Sequence, residues 1–400
     1  MNKVQLPFGM QDYLPDECYN KDKAESAIAS VFSSYGYKKV SMPTLEYYDL
    51  FTADGAMPGN KLFKLTDTDG SLLSLRADGT IQVCRMYVTS MKGVQRMYYC
   101  MDAFEYLSDA NTARDREFAQ IGAELLGSSG ADGEAEVITM AVDALLAAGL
   151  KDFKIEIGHV GYFEGLAEEA GIPADRIAEL KALVNKKDML GVELFFADAD
   201  VSETFRESLL ALPSLFGGPE VLSRAASLCR SEKSRAALGS LGALVDKMNK
   251  AGLGQYVSID LGIVSANNYY TGVVFKGICE GVGSSLLDGG RYDKLCDRIG
   301  RHTEAVGFAV GVKRLLTALK NRGVWDRAPK ADIAYMVGDC DPALVRRTLV
   351  RLRKKNRVVR IFGGESELLE YCKRRGIRSA VIFDADTATE ISLSGKGGDE

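Results

Sequence analysis

The feature that most constrains the fold of this 400-residue chain is a run of strand-like segments in its first third. Residues 37–51 have an alternating pattern that is broken by Pro43. The same pattern of strands joined by turns continues in three further segments, at 61–80, 94–107 and 114–127. Asp69-Gly70, inside the first of these, is a strong hairpin signal. Because strands follow strands instead of alternating with helices, we expect a mainly antiparallel sheet.

Helical patterns occupy the rest of the chain. Residues 17–35 carry apolar side chains at helical intervals and end at Gly36, and residues 133–149 are amphipathic. Strands resume after residue 250, and a short unit of alternating strands and helices follows residue 328. The sequence therefore predicts an α+β chain in four segments: a first core part at 1–161, a helical insertion at 162–250, a second core part at 251–327 and a small C-terminal α/β domain at 328–400.

The composition excludes several classes of protein. No apolar run reaches the roughly 18 residues of a membrane-spanning helix, and the N-terminus has no secretory pattern, so we expect a cytoplasmic protein without membrane contact. Eight scattered cysteines are expected to be small buried residues, because no two of them are spaced as metal ligands. With only His159 and His302, neither a histidine-rich metal site nor a Ser-His-Asp triad is expected. The net charge of −5 gives no general support to nucleic-acid binding.

Six motifs then follow one another in a single order. They are PFGMQDYLP at 7–15, YGYKKVSMPTLE at 35–46, LRADGT at 75–80, RDREFAQIGAELLG at 114–127, YYTGVVF at 269–275, and GGRYDKL at 289–295 with AVGFAVGVKRL at 305–315. This order resembles the core of class II aminoacyl-tRNA synthetases, specifically the histidine-tRNA ligase branch, over residues 5–320. The resemblance implies a class II synthetase-like antiparallel sheet flanked by helices.

The resemblance also implies an amino-acid pocket. In the ligases, the positions of Asp78 and Thr80 hold the amino group of histidine, those of Gln120 and Glu124 complete the pocket, and a tyrosine pair lines the imidazole side. The alternative for each residue is a side chain that is packed and hydrogen-bonded in the core. The predicted histidine-binding residues are Asp78, Thr80, Gln120, Glu124, Tyr269 and Tyr270.

The first departure from the ligases concerns the α-phosphate of ATP. Ligases of this branch carry an arginine in motif 2 that grips this phosphate, but here the stretch DAFEYLSDANTA offers Phe104, Glu105 or Tyr106. None is basic. A carboxylate about 4 Å from a phosphate, at an effective dielectric near 20, costs on the order of 4 kcal/mol. Glu105 is therefore predicted to oppose ATP.

The second departure lies just before the tyrosine pair. The ligases carry an Arg-Gly-Leu-Asp run there, whose arginine offsets charge near the reacting carboxylate. This chain has Ser265, Ala266, Asn267 and Asn268, and no Lys or Arg between 251 and 275. Losing one such donor typically costs about 3 kcal/mol, a hundred- to a thousandfold in rate. We therefore expect no catalytic residues and no cofactor.

Several arginines nevertheless remain near the third motif and after the motif 2 loop. The resemblance makes Arg114, Arg116 and Arg314 a vestigial phosphate region, and Arg291 belongs to the third motif as well. Pairing with carboxylates at the surface or between domains is the alternative for all four. Lys313 stands directly before Arg314, where the family usually has an acidic residue, so this position departs from the family.

The C-terminal segment weakens the ligase interpretation further. A ligase grips its tRNA through an α/β domain of roughly a hundred residues, and 331–400 is shorter, so a truncated anticodon-binding-like domain without tRNA is predicted. The helix expected at 342–355 is strongly basic. Its cations suit either a nucleic-acid contact or the dipole at a helix C-terminus.

A ligase core without both arginines closely resembles the regulatory-subunit family of ATP phosphoribosyltransferase. That resemblance implies a non-catalytic chain that partners the short-form catalytic subunit, forms dimers within a hetero-octamer and mediates feedback inhibition by histidine. Two alternatives remain: a divergent active histidine-tRNA ligase, and a free-standing histidine sensor.

Overall fold

The computed structural model describes residues 4–106, 115–128, 130–197, 203–264 and 269–393. It divides the chain into two compact units, residues 1–326 and 327–400. Within the described ranges, no helix is both long and apolar enough to cross a membrane. The boundaries of the four predicted segments stay a prediction.

The strands of the first unit form two sheets. They are β1 (Lys38–Lys39), β2 (Leu45–Tyr47), β3 (Lys64–Thr66), β4 (Leu72–Leu75), β5 (Gln95–Phe104), β6 (Glu117–Leu126), β7 (Lys154–His159), β8 (Phe216–Gly217), β9 (Val257–Asp260), β10 (Val273–Ile278), β11 (Leu287–Arg291) and β12 (Ala305–Gly311). The large sheet has the order β1-β5-β6-β12-β11-β10-β7-β9-β8, and β2-β4-β3 form the small one. Only the pairs β1–β5 and β7–β9 of these strands are parallel. The predicted, mainly antiparallel sheet is confirmed.

Helices flank the large sheet. They are α1 (Pro15–Ser34), α2 (Tyr48–Thr52), α3 (Gly79–Ser90), α4 (Ala131–Ala147), α5 (Val160–Glu169), α6 (Ala174–Asn185), α7 (Met189–Ala197), α8 (Glu203–Ala211), α9 (Glu220–Leu228), α10 (Glu232–Lys250) and α11 (Val312–Asn321). Helices α1 and α4 pack on one another and bury Ile28, Phe32 and Ile138 completely against the sheet. Helices α6 to α10 lie within the segment 162–250 that was predicted as a helical insertion, and α5 begins just before it, at Val160.

Two local predictions have different outcomes. The Asp-Gly hairpin forms between β3 and β4, with Gly70 at a φ of 88° that favours glycine. The predicted run of strands is wrong in two places, because α2 occupies the end of the segment 37–51 and α3 stands between β4 and β5. Asp78 begins this helix, since its extended backbone lets its carboxylate accept a hydrogen bond from the amide of Ile81.

The second unit is a small α/β domain. Its elements are β13 (Ile333–Val337), α12 (Pro342–Arg353), β14 (Val358–Arg360), α13 (Glu365–Arg375), β15 (Ser379–Asp384) and β16 (Thr387–Ser392). The sheet has the order β14-β13-β15-β16, and only β16 is antiparallel to its neighbour. Leu349 of α12 is buried in one apolar cluster, whereas Leu368 and Cys372 of α13 are buried in another. The predicted order of strands and helices is confirmed, and β16 extends it.

Candidate ligand-binding site

A cavity of about 450 Å³ lies on one face of the large sheet in the first unit. Glycines open this face, because neighbouring side chains lie flat where a Cβ atom would stand. A Cβ atom on Gly307 of β12 would lie 1.7 Å from Oε2 of Glu124, and one on Gly122 of β6 would lie 2.4 Å from the hydroxyl of Tyr99. Such approaches are sterically forbidden, so only glycine at these positions keeps both the space and the side chains that border it.

Asp78 lies at one wall of the cavity, at the beginning of α3. Its Oδ1 accepts a hydrogen bond from the amide of Ile81 at 2.9 Å, and its Oδ2 accepts one from the hydroxyl of Tyr269 at 3.3 Å. Burial raises the pKa of the Asp78 carboxyl. The helix N-terminus thus holds an acidic group inside the cavity, which suits a cationic group of a ligand.

Glu124 lies behind the cavity wall and has no exposed surface. Three hydroxyl groups donate to its carboxylate: Thr80 at 2.7 Å and Tyr99 at 3.3 Å to Oε1, and Tyr292 at 2.5 Å to Oε2. Burial raises the pKa of Glu124 to about 8. Glu124 therefore acts on the cavity through Thr80, Tyr99 and Tyr292, all of which line it.

The raised pKa of Glu124 predicts a pH-dependent stability. Between its ordinary pKa of 4.5 and about 8, the folded state binds a proton that the unfolded state releases. The free energy of unfolding therefore falls as pH rises through this window. In Glu124→Gln we expect this fall to be smaller by on the order of 3 kcal/mol.

Urea unfolding at pH 5.5 and pH 8 measures this difference, followed by the fluorescence of Trp325, the single tryptophan of the chain, which lies in the first unit. The matched control is Glu117→Gln, which changes an exposed glutamate on the same strand. An equal pH dependence in wild type and Glu124→Gln would contradict the prediction.

The remaining predicted pocket residues also border the cavity. Tyr269 and Tyr270 have ring centroids 4.8 Å apart, and both line it together with Gln120, which faces Gly311 across the β6–β12 pair. The structure thus brings together all six residues that were predicted from separate motifs, with Glu124 behind the wall. No sequence signal predicted a role for Tyr99 or Tyr292, although Tyr292 belongs to the GGRYDKL motif at 289–295.

Glu105 faces the same cavity. Its Oε1 lies 3.0 Å from Nζ of Lys61, and both residues are part of the cavity lining. Arg314 lines it as well, with Nη1 3.8 Å from the Asp288 carboxylate and 3.5 Å from the hydroxyl of Ser285. Of the three arginines predicted as a vestigial phosphate region, Arg314 is the one that the described part of the chain places at the cavity.

The other arginines have different surroundings. The guanidinium of Arg116 lies over the rings of Phe63 and Tyr106, at 4.5 and 5.0 Å from their centroids. Arg114 and the segment 265–268 lie outside the described residues. The Arg291 side chain donates to Glu134 of α4 at 2.7 Å, to Asp293 at 3.0 Å and to the carbonyl of Gly130 at 3.0 Å.

Arg291 therefore joins the sheet to α4 through an ion pair in which both side chains are less than a tenth exposed. Removing one partner of such a pair is strongly destabilising, because the other charge stays buried. Of the two alternatives for Arg291, a phosphate contact or pairing with carboxylates, the structure shows pairing, because its guanidinium contacts Glu134, Asp293 and the Gly130 carbonyl.

The charged groups around the cavity determine which class of ligand it can bind. Among the described lining residues, the carboxylates are Asp78, Glu105 and Asp288, and the cations are Lys61, Lys276 and Arg314. The tyrosine pair adds an aromatic wall with hydroxyl groups. A polar or zwitterionic small molecule with a planar group matches this lining.

Comparisons with known proteins agree on one family of folds. The family profile described as histidyl-tRNA synthetase matches residues 9–315. A regulatory subunit of ATP phosphoribosyltransferase from Acetivibrio thermocellus is 34% identical over 402 residues, which cover 99% of this chain and 96% of the relative. The protein of the same name from Ruminiclostridium cellulolyticum is 38% identical over 334 residues, 82% of this chain and 80% of the relative.

Solved structures are similar over the same length. A crystal structure described as an ATP phosphoribosyltransferase regulatory subunit/histidyl-tRNA synthetase from Bacillus halodurans C has a TM-score of 0.84 at 28% identity, over 96% of this chain and 99% of that one. A histidyl-tRNA synthetase from Nostoc sp. PCC 7120 has a TM-score of 0.77 at 19% identity, over 98% of this chain and 97% of that one. The Nostoc structure supports the fold alone.

Proposed function

Because this chain belongs to the histidyl-tRNA synthetase-like family of ATP phosphoribosyltransferase regulatory subunits, we propose that it is the non-catalytic subunit of a cytoplasmic ATP phosphoribosyltransferase. In this role it is required for the activity of a short-form catalytic subunit and for feedback inhibition by histidine. One observation carries the proposal: acidic, hydroxyl and aromatic groups line the cavity, and so does Glu105, one of the three residues that the resemblance aligns with the phosphate-binding arginine of the ligases.

The charge of Glu105 supports a chain without ligase chemistry. Its carboxylate pairs with Lys61, so this lysine is already used to balance a charge of the chain itself. An incoming phosphate would have to compete with Glu105 for that lysine. The cavity therefore favours the binding of a small ligand over the activation of ATP.

The proposed assembly consists of dimers of this chain within a hetero-octamer, with histidine as the effector and without tRNA. The names of the relatives support a partner, because each is called a regulatory subunit of ATP phosphoribosyltransferase. We propose that histidine binds two states of the complex with different affinities. The histidine concentration then determines how much of the complex is in the state with the less active catalytic subunit.

A divergent active histidine-tRNA ligase remains the second candidate, on one specific observation. The family profile that matches residues 9–315 is described as histidyl-tRNA synthetase, and the Bacillus halodurans C structure is described with both names. The match to the core therefore does not separate a regulatory subunit from a ligase. The difference between the two candidates rests on the phosphate-facing residues.

The first test is co-purification. A tagged full-length chain is expected to retain a short-form catalytic subunit through size-exclusion chromatography, in a peak larger than that of either protein alone. Separate elution of the two proteins at micromolar concentrations, with and without histidine, would contradict the proposed partnership.

Histidine binding tests the cavity itself. In Asp78→Asn the amide oxygen can still accept from the Ile81 amide, whereas the negative charge is lost. We expect the affinity for histidine, measured by calorimetry, to fall about 10- to 100-fold, because a hydrogen bond to a charged group typically contributes about 1.5 to 3 kcal/mol.

The matched control is Asp341→Asn, since Asp341 caps α12 in the same way but belongs to the second unit. This variant is expected to bind histidine as wild type does. Equal affinities in wild type and Asp78→Asn would show that histidine binds elsewhere.

A further inference from the structure

Lys276 of β10 lies on the face of the sheet that forms the cavity floor. Its cross-strand neighbour on β11 is Asp288, and the same row continues through Ala309 and Gly122 to Tyr99 of β5. Adjacent strands are about 4.8 Å apart, so four spacings separate the first and last positions of this row. The Tyr99 ring lies over Gly122, and Ala309 has a small side chain, so Tyr99 and Lys276 both border the cavity.

Among the described cations of the cavity lining, Lys276 is the one without an ion pair. Lys61 is paired with Glu105 at 3.0 Å, and Arg314 approaches Asp288 at 3.8 Å. Lys276 has a carboxylate opposite it on each neighbouring strand, Glu156 of β7 and Asp288 of β11. The described residues show no ion pair between Lys276 and either of them, and both oxygens of Asp288 lie within hydrogen-bond distance of the Ser285 hydroxyl. A ligand anion can therefore bind Lys276 without breaking an ion pair, in competition with the Coulomb attraction between Lys276 and Glu156.

The wall that carries Asp78 is acidic, in contrast to the side of the cavity that carries the Lys276 ammonium. Asp78 is held there by the Ile81 amide and the Tyr269 hydroxyl, and Glu124 is buried behind it among three hydroxyl groups. An amino acid is a zwitterion, so its ammonium group fits the Asp78 wall and its carboxylate needs a cation.

We propose that Lys276 holds the carboxylate of the amino-acid ligand in this cavity. The inference rests on the proposed function, since it assumes that the cavity takes histidine. A lysine suits the position because its flexible four-carbon stem can carry a single charge from β10 into the cavity. Lys276 thereby provides a cation that the segment from 251 to 275 lacks.

The experiment compares histidine with histidinol, which has the same imidazole and amino groups but a hydroxymethyl group in place of the carboxylate. Full-length wild type is expected to bind histidine about 10- to 100-fold more tightly than histidinol, as for a charge-assisted hydrogen bond. In Lys276→Met we expect this ratio to fall to about threefold or less, while histidinol affinity changes little. Calorimetry on the chain alone and in complex with the catalytic subunit measures both ligands.

Two variants make the outcome specific. Lys276→Arg keeps a cation and is expected to keep most of the ratio, which separates loss of charge from loss of folding. Lys154→Met, a lysine on neighbouring β7 that does not line the cavity, is expected to keep all of it.

Three results would overturn the inference. A ratio unchanged in Lys276→Met, with histidine binding still dependent on Asp78, rejects Lys276 as the anchor and leaves the proposed function intact. A ratio lost in Arg314→Met but kept in Lys276→Met assigns the carboxylate to Arg314. No histidine binding by wild type, alone and in the complex, rejects the proposed function and the inference together.

Discussion

Adding this chain to a short-form ATP phosphoribosyltransferase catalytic subunit is expected to raise phosphoribosyl transfer and to make it sensitive to histidine. The catalytic subunit alone should be nearly inactive or unaffected by histidine. A ligand regulates a complex only if it binds two states differently, and such coupling is usually worth about 1 to 3 kcal/mol, or about 5- to 150-fold in affinity. We therefore expect histidine to weaken substrate binding to the complex by a factor in this range.

Initial rates across a titration of this chain, with and without histidine, measure both effects. Reciprocity provides a second readout, because phosphoribosyl pyrophosphate must weaken histidine binding by the same factor. Asp78→Asn is expected to keep the stimulation and lose most of the inhibition. If a saturating concentration of this chain neither stimulates phosphoribosyl transfer nor changes its inhibition by histidine, the regulatory role is ruled out.

The second large effect is the absence of ligase chemistry. We expect no measurable histidine-dependent exchange between ATP and pyrophosphate. The resemblance to the ligases implies that the two cations near the reacting groups are replaced here, by Glu105 and Ser265. Each such donor is typically worth about a hundred- to a thousandfold in rate, and the two losses compound, although not simply additively.

A working histidine-tRNA ligase assayed in parallel is the control for this measurement. The double variant Glu105→Arg, Ser265→Arg is expected to raise the affinity for ATP before it raises the rate, since charge is restored without the rest of the site. Exchange by the pure wild-type chain near the ligase rate would favour the second candidate function. Unchanged nucleotide binding in the double variant would mean that the two positions do not face the phosphates.

Local sequence patterns were sufficient for much of the fold. Turn chemistry at Asp69-Gly70 and the succession of strands predicted an antiparallel sheet, because these signals depend on neighbours along the chain. Helix α3 was not predicted, although Asp78 is a good capping residue, because the segment 61–80 that contains Asp78 was interpreted as strands joined by turns. A side chain that both caps a helix and faces a cavity has one sequence signal for two roles.

By itself, the sequence determined the order of six motifs and hence the family of the fold, and it determined which cations are absent. Only the tertiary structure decided which polar groups meet. Tyr292 donates to Glu124 across 168 residues, and Arg291 is held by Glu134 across 157 residues, so neither contact has a local signature. The register of the sheet likewise places Lys276 at the cavity and leaves Glu124 behind its wall. The physical reason is that hydrogen bonding and charge pairing depend on distance in space, whereas sequence patterns report only the periodicity of each element.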